Sequence, residues 1–251
     1  QQLRGPCRVK VIDPCYAEHA YSWQKAGHDV QEIAHEEIDS VIAHTDVLII
    51  INPTNPSGRR YSKEQLLNWH QQLQQGDGWL IIDEAFIDTT PEKSLCILPA
   101  MPGLLILRSI GKFFGLAGCR VGFLIAEQSI LDKVEEHLGP WPIATASRFI
   151  TTKALKDTDW QQRTIQQLQN QSQRLAQLLS TYKLSPTGST DLFQWVMHPA
   201  ASDIHEHLAK QAVLTRLFTS PASLRFGLPA NEQQWQQLEK ALQTLRVNHE
   251  T

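Results

Sequence analysis

Four short apolar runs, Arg8 to Ile12, Val47 to Ile51, Trp79 to Ile82 and Leu104 to Leu107, recur through the first half of the chain with helix-spaced segments between them. No other feature restricts the fold as much. Each run has strand length and is apolar on both faces, as a strand must be when it is covered from both sides. Among the intervening segments, Ser62 to Gln74 has a capping serine followed by a stripe of Leu66, Leu67, Trp69, His70 and Leu73. This alternation predicts an α/β fold of three layers: a mainly parallel sheet with helices on both faces. A fifth run, Val121 to Ala126, follows the fourth too closely for a helical crossover, which predicts an antiparallel strand beside it.

The character of the chain changes after Pro140-Trp141-Pro142. A glutamine-rich helical stretch from about 144 to 180 has Ile165, Leu168, Leu175 and Leu178 as its apolar stripe. The remainder predicts strands at Asp191 to Met197, Val213 to Phe218 and Ser223 to Phe226, with helices at Asp203 to Gln211 and Glu232 to Leu245. The expected organisation is a large domain over 1–143, a long connecting helix over 144–180 and a smaller α+β domain over 181–251. The opening Gln-Gln-Leu-Arg-Gly-Pro is neither a signal peptide nor a natural start, so the chain is expected to begin part-way through a longer protein.

Charge and cysteine content narrow the partners. A formal net charge of -3 with both signs interspersed gives no field for nucleic acid and no basic face for a membrane. No apolar stretch approaches spanning length, and Cys7, Cys15, Cys96 and Cys119 lie far apart, which fits reduced thiols in a cytoplasm. A small-molecule substrate is the expectation. His205-Glu206-His207 do not share one helical face and read as solvated polar residues, so no metal site is expected. Gly111-Lys112 is not a nucleotide loop, because Ile106 stands where the earlier glycine is needed and Phe113 replaces the magnesium-binding hydroxyl.

In open parallel sheets, functional groups gather beyond the carboxyl ends of strands. The second run empties into Asn52-Pro53-Thr54-Asn55-Pro56-Ser57-Gly58, whose Asn55 amide offers a hydrogen bond to a phenolic oxygen. The third ends in Asp83-Glu84-Ala85-Phe86, and an aspartate leaving so apolar a strand needs a partner such as a pyridinium N–H. Beyond the fourth come Ser109, Lys112 and Arg120, a hydroxyl, an amine and a guanidinium suited to a phosphate and an aldehyde. Together these groups complement every polar edge of pyridoxal phosphate.

The same segments resemble the fold-type I pyridoxal phosphate enzymes of the class I/II aminotransferase superfamily, over nearly the whole chain. Asp83 to Asp88, Arg108 to Gly118 and Gly139-Pro140-Trp141 look most like the threonine-phosphate decarboxylases of cobalamin biosynthesis, with the histidinol-phosphate aminotransferases as close cousins. The resemblance implies that Lys112 carries the cofactor aldehyde, Asp83 pairs with the ring nitrogen, Asn55 contacts the ring oxygen, and Ser109 and Arg120 bind the phosphate. Tyr16, in Asp13-Pro14-Cys15-Tyr16, matches the aromatic residue that stacks on the ring. Arg225, in Leu224-Arg225-Phe226-Gly227, matches the clamp for the substrate carboxylate, and Arg216 aligns with an arginine that faces the substrate phosphate. A phosphorylated amino-acid substrate and a homodimer follow from the same likeness.

Two positions depart from the aminotransferase pattern: Phe86 stands where a tyrosine is usual and Gly111 where a hydroxyl residue precedes the lysine. Each removes a hydrogen-bond donor, and both agree with the decarboxylase relatives. The family's opening segment, including a glycine-rich turn that cradles the cofactor phosphate, would precede Gln1. The alternatives to decarboxylation are transamination of a histidinol-phosphate type of substrate and a non-catalytic aminotransferase-like domain of a regulator.

Overall fold

In the computed structural model, which describes residues 1–245, the apolar runs become strands whose side chains alternate between two cores. The last residues of the segment expected over 181–251 lie outside the described ones. The chain divides into two compact units, 1–55 with 59–158, and 56–58 with 159–251.

In the first unit, β1 (Arg8–Ile12), α1 (Glu18–Lys25), β2 (Asp29–Ile33), α2 (Ile38–Val41), β3 (Val47–Ile51), α3 (Lys63–Gln74), β4 (Trp79–Asp83), β5 (Leu104–Ser109) and β6 (Gly122–Ile125) build one sheet and its covering. The strand order is β2-β1-β3-β4-β5-β6, parallel except for β6, which pairs antiparallel with β5 as expected. The period of two sorts each strand: Leu48, Ile50, Leu80, Ile82, Leu104 and Ile106 face a core built with Leu66, Trp69 and Leu73 of α3. Val47, Ile49, Ile81 and Leu105 face the opposite core, with Ala20 and Trp23 of α1. Ile130 of α4 (Gln128–Leu138) joins that second core. Ser62 caps α3 by accepting from the Gln65 N–H at 3.1 Å. Among the described residues no helix is long and apolar enough to cross a membrane.

Three readings of the sequence change. The strand β2, Asp-Val-Gln-Glu-Ile, was not expected. As the edge of the sheet it buries only Ile33, so its sequence carries no apolar run. The first run is not apolar on both faces either, since Lys10 donates to Gln31 of that edge strand. The stretch over 144–180 is two helices, α5 (Thr145–Lys156) and α6 (Thr158–Thr181), separated at Asp157, where ψ is 71°. Lys153 and Lys156 close the first helix and Asp159 opens the second, each charge opposing the helix dipole at that end.

The second unit has an antiparallel sheet of β7 (Gly188–Thr190), β8 (Phe193–Met197), β10 (Ala222–Gly227) and β9 (Arg216–Thr219), in that spatial order. Val196, Leu224 and Phe226 point into a core with Leu175 and Leu179 of α6, Ile204 and Leu208 of α7 (Ala201–Ala209), and Trp235 and Leu238 of α8 (Glu232–Gln243). In α6 the fully buried leucines are Leu175 and Leu179, with the expected Leu178 only partly buried beside them. Trp195, Arg225 and Arg216 alternate onto the other face.

Where β1 and β3 begin, Arg8 grips Asp46: its N–H and Nε reach Oδ2 at 2.8 and 3.0 Å, and its Nη2 reaches Oδ1 at 2.8 Å. These bonds hold the Asp46 carboxyl down to about 2, below its ordinary 3.8. A depressed folded-state value means that the stabilisation is present above the ordinary value and is lost as pH falls through the folded one. Denaturant unfolding of Asp46→Asn and the parent protein should therefore differ at neutral pH and converge as pH drops from about 4 to about 2.

Candidate active site

The apolar lengths of β3, β4 and β5 leave polar groups only at their ends, and the three carboxyl ends are neighbours. Ile51 pairs with Asp83, and Asp83 with Leu107. The ladder continues past the strands, since the Asn52 N–H donates to Asp83 O and the Glu84 N–H to Leu107 O, each at 2.8 Å. Asn55, Asp83, Ser109 and Lys112 therefore all lie along one edge of one sheet.

Asp83 ends β4 on the face of the sheet that carries Ile81 and α1. Its Oδ1 accepts from the Ala85 N–H at 2.9 Å, and its Oδ2 lies 2.8 Å from His19 Nε2. Both side chains of this pair are mostly covered, at 15% exposure for His19 and 18% for Asp83. Tyr16 is half exposed, and its ring meets the His19 ring edge-on at 5.9 Å and 85°. Tyr16, His19 and Asp83 thus form a chain of contacts from a half-exposed aromatic ring to a buried strand end. His19 was not picked out from the sequence, although it follows Tyr16 by three positions, the spacing that puts two residues on one helical face.

Lys112 is exposed in the loop after β5, with Nζ 5.5 Å from the centroid of the Phe86 ring. Phe86 therefore packs beneath the amine where a tyrosine would present a hydroxyl. Ser109, the last residue of β5, accepts from the Gly111 N–H at 3.1 Å, which leaves its own proton to donate. A Cβ on Gly111 would come within 3.2 Å of Ser109 Oγ and 3.3 Å of the Ala117 backbone, so a larger residue there needs its neighbours to give way. Arg120 is exposed and left-handed, at φ 53° and ψ 42°, and its Nη1 donates to Ala117 O at 3.4 Å.

Beneath this edge lies a buried ion network that sequence reasoning did not assign. Glu84 is fully buried, accepting from Ser94 Oγ and from the Leu95 N–H at 3.0 Å. Arg108 Nη1 lies 3.7 Å from Glu84 Oε2, and Nη2 donates to Asp88 Oδ1 at 2.5 Å. Burial pushes the Glu84 carboxyl up, while Ser94 and Leu95 pull it back. Burial likewise raises Asp88 against the pull of Arg108. The network joins the loop that follows Asp83 to β5, the strand that leads into the loop of Lys112. Its sequence signal was the spacing of Glu84 and Asp88, four apart beyond an apolar strand, with Arg108 at the end of the next.

In the second unit, Arg225 and Arg216 are register partners on the face turned away from that unit's core. Arg225 lies over the Phe193 ring at 5.1 Å and Arg216 over Phe218 at 5.9 Å. Burial, then the charge of Arg216, lowers the Arg225 pKa. An anion beside the pair would relieve that repulsion. His205 and His207 are engaged elsewhere, with Thr215 Oγ1 at 2.8 Å and Ala241 O at 3.1 Å. Among the described residues no group of His, Cys, Asp and Glu could hold a metal ion.

The model of the family "Aminotransferase class I and II" matches residues 2–245. The chain is 45% identical over 241 residues to a threonine-phosphate decarboxylase of Pseudomonas aeruginosa, covering 96% of this chain and 73% of that protein. A second threonine-phosphate decarboxylase, from a Sinorhizobium species, is 35% identical over 88% of this chain and 66% of its own length. Among solved structures, a histidinol-phosphate aminotransferase from Sinorhizobium meliloti, in complex with pyridoxal-5'-phosphate, superimposes with a TM-score of 0.78. That similarity is at 19% identity and covers 95% of this chain and 70% of the other.

Removing the cation of the buried network would leave two carboxylates uncompensated. Arg108→Met should lower the unfolding free energy by about 3 kcal/mol, measured by denaturant titration, whereas Arg120→Met, at an exposed guanidinium, should change it by less than about 0.5 kcal/mol.

Proposed function

This chain belongs to the class I and II aminotransferase family, and on that premise we propose that it binds pyridoxal 5'-phosphate and decarboxylates L-threonine O-3-phosphate to (R)-1-aminopropan-2-yl phosphate, a step of cobalamin biosynthesis. The observation that carries the reading is the 45% identity to a threonine-phosphate decarboxylase across 96% of the chain. The donor set at the sheet edge fits the cofactor. It offers an exposed amine, a carboxylate already held on both oxygens, an amide, a hydroxyl with a free proton and an arginine, beside a half-exposed aromatic ring. Bound pyridoxal phosphate supplies an electron-poor ring that takes up the electron pair released when a bond to the substrate α-carbon breaks.

The roles of the chain's own residues follow. Lys112 would hold the cofactor through its amine and, as the ammonium formed when it takes up the proton of the substrate amine that displaces it, would be the group placed to donate that proton from Nζ to the α-carbon in exchange for the departing carboxylate. The Asp83 carboxylate would accept from the ring N–H and so favour that nitrogen's protonated form, while His19, 2.8 Å away, fixes the direction of Oδ2. Asn55 would donate to the ring oxygen without help from a phenol at Phe86. Ser109 and Arg120 would hold the cofactor phosphate, and Tyr16 would cover the ring.

Arg225 binds the substrate carboxylate as a bidentate pair and Arg216 binds the substrate phosphate, relieving their mutual repulsion. Holding the substrate at both ends would fix the orientation of its α-carbon bonds, which is the choice between losing carbon dioxide and losing a proton. On this reading the protein works in the cytoplasm as a homodimer.

Threonine phosphate should yield carbon dioxide and aminopropanol phosphate. Transfer of its amino group to a 2-oxo acid acceptor instead overturns the decarboxylase assignment in favour of an aminotransferase. Lys112→Ala should lose the visible absorbance of the lysine-linked cofactor and lower carbon dioxide release by about 10³-fold or more. Arg225→Lys, which keeps the charge but not the fork, should raise KM by roughly 10-fold to 100-fold.

A further inference from the structure

Asn55 stands where the two units exchange the chain. The turn that bears it is pinned at its neck: the Thr54 N–H donates to Arg59 O at 2.8 Å, and the Tyr61 N–H to Asn52 Oδ1 at 3.0 Å. The tip of the turn, Pro56–Gly58, belongs to the second unit. There it approaches β7 backbone to backbone. A Cβ placed on Gly188 would lie 1.9 Å from Ser57 O, and one on Gly58 would lie 2.2 Å from Ser189 O. Both distances are far inside van der Waals contact, so a side chain at either position forces the tip and β7 apart. Gly58 also adopts φ +71°, whereas at Gly188 the close approach alone calls for glycine.

Gly188 also begins a row across the sheet. It pairs with Trp195, Trp195 with Arg225, and Arg225 with Arg216. Residues paired directly across antiparallel strands project to one face, so the glycine that meets Ser57 shares a face with both arginines. Trp195 fills the intervening place, its Cε3 lying 3.4 Å from where a Gly188 Cβ would be.

We propose that Gly188 is a positioning residue acting through Ser57 on Asn55: the contact of β7 with the turn tip ties the Asn55 amide to the sheet that bears Arg225 and Arg216. The inference rests on the proposed assignment of Asn55 to the cofactor's ring oxygen. A donor on that oxygen favours its anionic form, so displacing the tip raises the pH at which the lysine-linked cofactor changes absorbance.

Spectrophotometric pH titration of the cofactor-loaded protein tests this. Gly188→Ala should retain the cofactor while its titration midpoint rises by about one pH unit, and Asn55→Ala should shift it in the same direction. The double variant should shift no further than Asn55→Ala alone, because Gly188 acts through Asn55. An unmoved midpoint in folded Gly188→Ala, or additive shifts in the double variant, overturns the proposal. Should Gly188→Ala fail to fold, native-state amide exchange on the unmodified protein decides. Residues 55–59 and 187–190 opening together as denaturant rises supports the tie, and 55–59 opening with β3 while 187–190 stays protected overturns it. Unmodified protein that shows no visible chromophore with pyridoxal phosphate overturns the cofactor reading itself, and the coupling with it.

Discussion

Burial of β3, β4 and β5 on both faces is the constraint from which the candidate site follows. Residues 47–51, 80–82 and 104–106 are buried, so no charge is tolerated along these strands without a partner. Polar chemistry is therefore displaced to the strand ends. Because the three strands are parallel neighbours, those ends are adjacent. Hydrophobic sorting alone puts the amide, the carboxylate and the amine beyond the ends of neighbouring strands.

Holding such an edge in shape requires polar groups that are themselves buried. The Glu84–Arg108–Asp88 network serves this purpose by joining the loop after β4 to β5. It does so with charges whose removal is costly, because each ion compensates another in a poorly solvated place. His19 does for Asp83 what Arg108 does for Glu84, giving a carboxylate a fixed partner near the sheet edge. Direction, more than strength, is what these pairs contribute, since a carboxylate held by a fixed partner can point only one way.

In the second unit the same alternation that fills the core with Leu224 and Phe226 turns Arg225 and Arg216 to the opposite face. The close backbone approach of Gly188 to Ser57 then gives this sheet a hold on the turn that carries Asn55. Two glycines whose missing side chains make that approach possible would look, in isolation, like ordinary turn residues.

The period-two and helical spacings, read along the chain, determined the mainly parallel sheet, its antiparallel last strand, the Ser62-capped helix and the strand ends where Asn55, Asp83 and Lys112 lie. These are local consequences of burial, and apolar runs record burial directly. The edge strand β2 was not legible, because a strand with one paired side and little buried surface needs no apolar pattern. The break at Asp157 was masked because no glycine or proline marks it, and only the charge change from Lys156 to Asp159 hinted at it. Tertiary structure alone decided that His19 meets Asp83, that Arg108 joins Glu84 to Asp88, and that Gly188 meets Ser57. Each joins residues at least 20 positions apart, as in the Arg108–Asp88 pair, and sequence spacing carries no information about which distant groups share a buried volume once the chain has packed.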